Sequence, residues 1–115
     1  MKYLIYFLLF LSISSCRQEK KSIKITDVSK YQEFLLECPE ENKTVNSLLI
    51  EINGVIDGNA TIIKSNGKNV NYKYEFKRGE IKKVIFGDWY APTCILKYKP
   101  NNVDEGEIDI KYIFY

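Results

Sequence analysis

From Ser47 onward the hydrophobic positions recur every second residue. Leu48, Ile50 and Ile52 stand against Leu49, Glu51 and Asn53, the period of a strand with one dry and one wet face. Residues 60–65 read as a second strand, and Asn66-Gly67 behind it is the strongest short hairpin signal in the chain. Val70, Tyr72, Tyr74 and Phe76 then point one way, and Asn71, Lys73, Glu75 and Lys77 the other. Arg78-Gly79 turns the chain into a strand over 80–86. A loop over 87–93 follows, then Cys94, Leu96 and Tyr98 alternate. After a turn over 100–106, Ile108, Ile110, Tyr112 and Phe114 close the sequence. About six strands joined by short turns predict an antiparallel up-and-down meander, wet on one side.

Upstream the spacing changes. Thr26-Asp27 offers capping chemistry, and Val28, Tyr31, Leu35 and Cys38 then fall at helical intervals, with Lys30, Glu33 and Glu37 facing away. This predicts a helix over 27–37, stopped by Pro39 and lying on the dry side of the meander. Residues 22–25 read as a brief strand. The expected class is α+β, one N-terminal helix on a β-meander in a single domain over 26–115. A small open β-barrel or a sandwich is the alternative, if the sheet closes on itself.

The first residues follow neither period. Lys2 carries one charge, and Tyr3 to Ile13 is an apolar run of eleven residues broken only by Ser12. That is about half of the ~20 residues needed to cross a bilayer. A charged start, a short apolar core and small residues before a cut site describe a secretory signal over 1–15. Its ending, Ile13-Ser14-Ser15-Cys16, resembles the lipobox of bacterial lipoproteins. Ile13 and Ser15 stand where that motif most often has Leu and Gly or Ala. The resemblance covers residues 1–16 and implies cleavage before Cys16, with a diacylglyceryl group on its thiol and an acyl chain on its new amino terminus. Two or more chains give stable membrane attachment where one does not. The membrane is then the first expected partner, and 16–25 is the lipidated cysteine with its charged spacer. Arg17 follows the cysteine in place of an aspartate that retains some lipoproteins at the inner membrane. The expected location is therefore the outer membrane, facing the periplasm.

Charge and composition narrow the chemistry. The 17 basic and 15 acidic residues leave +2 and are interleaved, which is no footprint for nucleic acid. There is no histidine, so the commonest general base and metal ligand are missing. No metal, cofactor or catalytic set is predicted, and the expectation is a protein that is not an enzyme. Export would place Cys38 and Cys94 in an oxidising compartment, where an even pair reads as a disulfide. Such a bridge would close a loop of about 57 residues, worth about 4 kcal/mol in the chain-entropy model.

Two stretches are candidate sites. In "FGDWYAPTC", residues 86–94, Asp88, Trp89 and Tyr90 form a potential anchor for a protein partner in the envelope, because aromatics dominate interface energetics. The competing reading has Trp89 plugging the end of the sheet and packing on the Cys38–Cys94 bridge. "NNVDEGEID", residues 101–109, is acidic but lacks calcium-loop spacing and reads as a solvated turn. A rival function is a small-molecule carrier, with a cup of the sheet lined by Tyr72, Tyr74, Tyr98 and Tyr112.

Overall fold

A computed structural model describes residues 20–40 and 44–115. The signal segment 1–15 and Cys16 lie outside those residues. The described chain forms eight strands: β1 (Lys21–Ile25), β2 (Gln32–Glu37), β3 (Ser47–Ile56), β4 (Ala60–Ser65), β5 (Asn71–Phe76), β6 (Gly79–Asp88), β7 (Thr93–Pro100) and β8 (Gly106–Phe114). They build two four-stranded antiparallel sheets, ordered β1-β8-β3-β6 and β2-β7-β4-β5. In four of the pairings, β1·β8, β2·β7, β3·β6 and β4·β5, the strand numbers add to nine. The chain is thus one long hairpin rolled up, and β3·β8 and β4·β7 complete the sheets. That order is an eight-stranded jelly roll.

The architecture is therefore all-β, and the expected α+β class with an N-terminal helix is wrong. The error lies in 27–38, whose sequence fits both periods. Phe34, Leu36 and Cys38 alternate with Glu33, Leu35 and Glu37, and pairing with β7 over six residues selects the strand. Leu36 is fully buried, whereas Leu35, counted in the helical stripe, is 56% exposed. The capping chemistry at Asp27 is real but closes a turn. Its Oδ1 accepts from Ser29 N and Oγ, and its main-chain oxygen accepts from Gln32 Nε2. The Ser29 bonds hold the Asp27 carboxyl below its ordinary pKa.

The meander is corrected as well. Among the described strands only β4–β5 stays within one sheet, at the Asn66-Gly67 signal. Gly67 takes φ 80 there, and Asn66 Oδ1 accepts from the backbone N–H of Lys68, Asn69 and Val70. Every other connection crosses between layers. With no helix among the described residues to cover the dry face, a second sheet covers it. The inner faces meet in one core that includes Ile25, Leu36, Leu48, Ile50, Ile52, Ile62, Leu96, Tyr98, Ile108 and Ile110.

The predicted Cys38–Cys94 disulfide is absent, and both residues are free thiols. Register explains this. Leu36 stands opposite Cys94, while Cys38 N donates to Pro92 O one step further along. The two cysteines are therefore diagonal neighbours, roughly 7–8 Å apart in such ladders, where a bridge needs Cβ atoms at about 3.5–4.5 Å.

Candidate functional site

The hairpin β4–β5, the β6–β7 loop and Tyr115 gather at one end of the sandwich. The β6–β7 loop is pinned at Trp89, whose backbone N–H donates to Asn46 O at 3.0 Å and whose Nε1 donates to Thr93 O at 2.9 Å. The indole, 6% exposed, packs into the core at this end. The next side chain, Tyr90, is 75% exposed. One ring is fixed and its neighbour stands free in solvent.

Beneath them lies Lys64. It sits on the inner face of β4, opposite Leu96 of β7 and Tyr72 of β5. The residue is 5% exposed, yet forms no salt bridge among the described residues. Its Nζ lies 5.1 Å from the Tyr72 ring centroid and 5.2 Å from that of Trp89, so two aromatic faces take the place of a counter-ion. Burial lowers the Lys64 pKa. Burial also pushes the Cys94 thiol up to about 12, against the pull of the Lys64 charge. At neutral pH Cys94 is a protonated, inert thiol.

Around these rings opens a pocket of about 470 Å³, lined by Asn66, Val70, Tyr72, Asp88, Trp89, Tyr90 and Ala91. Its size and its mix of aromatic faces with a few polar groups fall in the range of ligand sites. Asp88 is exposed and takes part in no ion pair among the described residues. Asn66 Oδ1 is committed to the hairpin, so the pocket's uncommitted polar groups are the Asp88 carboxylate and the Tyr72 and Tyr90 hydroxyls.

The structure thus brings Asp88, Trp89 and Tyr90 to one pocket wall and adds Tyr72 from the neighbouring sheet. Trp89 does plug the end of the sandwich, but no disulfide lies beneath it. The four tyrosines of the supposed cup do not come together. Tyr98 is buried and donates to Val28 O at 2.6 Å, burial raising its pKa to about 12. Tyr112 stacks edge-on against Phe114 in the other sheet, and Tyr74 lies near Lys83. Of the four, only Tyr72 reaches the pocket. Lys64 escaped the sequence reading, and Asn66 was read as a turn residue and not as part of a site. The available signal was a lysine two residues after Ile62, on a face otherwise apolar.

No protein-family model matches the chain, and no curated protein matches it significantly. Among solved structures, a mitogen from Yersinia pseudotuberculosis is similar over 84% of this chain and 85% of that one, with 18% identity and a TM-score of 0.45. The CENP-C cupin domain of Drosophila melanogaster matches 82% of this chain at 11% identity and a TM-score of 0.36, the match covering 58% of that chain. The Drosophila CENP-C structure with CAL1 bound matches at the same score, over 62% of that chain. These scores lend no function, and the jelly-roll assignment rests on strand order alone.

Proposed function

We propose that the chain is a lipid-anchored binding module of a bacterial cell envelope, tethered through Cys16, which holds an envelope partner at the open end of its jelly roll. One observation carries the binding reading: Asp88, Trp89 and Tyr90 converge with Tyr72 on a pocket of about 470 Å³. A ring locked by a hydrogen bond beside a largely exposed one offers rigid contact area at little ordering cost, as binding hot spots do. The tether rests on Ile13-Ser14-Ser15-Cys16 and the apolar run before it. A non-enzymatic role is supported by a thiol held protonated at Cys94 and by the lack of any histidine.

A second reading, a carrier of a small molecule, has support from the pocket's volume. The cup between the sheets has none, because the core fills that space. The module is tested by affinity capture from envelope extracts with the wild-type chain and its Tyr72→Ala/Tyr90→Ala variant. One protein recovered by the first and lost from the second is the expected result. A co-purifying small molecule would favour the carrier, and equal recovery by both baits would refute the site. The anchor has its own test: Cys16→Ser should move the protein out of the membrane fraction, and continued membrane fractionation at normal size would refute lipidation.

A further inference from the structure

The pocket is not the only apolar surface left open. Among the described residues β6 is the terminal strand of its sheet and pairs only with β3. Its outward side chains run Glu80, Lys82, Val84, Phe86, Asp88, and Val84 and Phe86 are 62% and 63% exposed. Across the sheet Phe86 stands opposite half-buried Leu49, and Leu49 opposite buried Ile113. The Tyr115 ring meets Phe86 edge-on at 6.2 Å.

The other three edge strands are different. β1 shows Ser22 and Lys24 outward, β5 shows Asn71, Lys73 and Glu75, and β2 sets a single Leu35 between Glu33 and Glu37. Charge on an edge discourages pairing with another chain, and a run of exposed apolar residues invites it. Only β6 has two neighbouring outward positions apolar.

The pattern on β6 also complements itself. We infer that two copies of this chain pair antiparallel along β6, about a two-fold axis at Ile85. In that register Lys82 faces Asp88 of the second copy and Val84 faces Phe86, each contact occurring twice. This is the symmetry of a closed two-fold interface. On the inner side, Lys83 would face Gly87, where there is room to spare: a Cβ added at that glycine would meet nothing within 4 Å.

Neighbouring registers fail. Centring on Val84 sets Glu80 against Asp88 and Lys82 against Phe86. A centre at Lys83 sets Glu80 against Phe86 and Lys82 against Val84. A centre at Phe86 buries Asp88 against Val84. Shifts that place an odd position opposite an even one would put outward side chains against inward ones, which the pleat forbids. Only the Ile85 centre matches apolar with apolar and plus with minus. β1, where the described residues begin, is the opposite edge of the same sheet.

The inference shares Asp88 with the pocket, and Phe86→Asp, at a residue outside the pocket lining, separates the two readings. Its test is sedimentation equilibrium of the full chain in density-matched detergent, with circular dichroism as the control for folding. The wild type should be a dimer. Phe86→Asp should be a monomer. Lys82→Glu and Asp88→Lys should each weaken association about tenfold or more, and the double swap should bring it back to within about threefold of wild type. A wild-type chain that stays monomeric up to about 100 μM would overturn the inference. So would a dimer indifferent to Phe86→Asp, or a double swap no better than the singles.

Discussion

The two ends of the sandwich differ in how their loops are tied and in what side chains they leave open. At one end the loops are stitched to each other. Asp57 N donates to Glu105 O, Asp104 N to Asp57 Oδ1, Asn59 N to Asn102 Oδ1, Asn101 N to Asn59 O, and Arg78 N to Asn59 Oδ1. Val103 is buried beneath them, and Tyr98 ties the β1–β2 turn in through Val28 O. At the other end backbone bonds also tie separate segments, Trp89 N to Asn46 O, Cys38 N to Pro92 O and Asn46 N to Tyr115 O, but polar and aromatic side chains are left open. Asn66 closes its own hairpin, Trp89 bonds to Asn46 O and to Thr93 O, and an open pocket with an exposed tyrosine lies between them. Loops that satisfy one another's backbone groups stabilise a fold, while loops that leave rings and a carboxylate unmatched are available for a partner.

That contrast can be broken at the stitched end first. Gly106 has φ +147, and a Cβ there would lie 2.2 Å from Val55 O, so Gly106→Ala should cost about 3 kcal/mol or more in a chemical denaturation curve. Tyr98→Phe leaves the Val28 carbonyl without its donor and should cost about 1–2 kcal/mol by the same measurement. At the open end, Tyr90→Ala removes a side chain that is 75% exposed and should change stability by less than about 0.5 kcal/mol. The smallest effect is one of pH. Hydrogen bonds from Asp104 and Glu105 hold the Asp57 carboxyl below its ordinary 3.8. Its folded pKa is depressed, so its stabilisation is present above about pH 4 and is lost as pH falls through the lower folded value. Asp57→Asn should therefore flatten the acid limb of the stability–pH curve and leave its slope above about pH 5 unchanged.

Much of this was legible in the alternation of the chain. β4 begins and ends where the pattern placed it, and the hairpin at Asn66-Gly67 is the one predicted. The segment 27–38 was not, because Val28, Tyr31, Leu35 and Cys38 satisfy a helix while Phe34, Leu36 and Cys38 satisfy a strand. Only the distant β7 decides between them. Layer order was illegible for the same reason: period two says which face is dry and nothing about what dries it. The cysteines misled because compartment chemistry argued for a bridge that a two-residue offset in register forbids. At the site, Asp88, Trp89 and Tyr90 stood out as a cluster in sequence. Tyr72 and Lys64 join them only through the β4–β5 pairing, which sequence spacing does not reveal.

Everything proposed for the pocket turns on which end of the jelly roll holds the partner. Capture from envelope extracts with two equally folded variants, Tyr72→Ala/Tyr90→Ala at the open end and Asn102→Ala at the stitched end, measures this directly. The first should lose the partner at least about tenfold, while the second retains it within about twofold. Loss from the stitched-end variant with retention by the open-end variant would contradict that assignment.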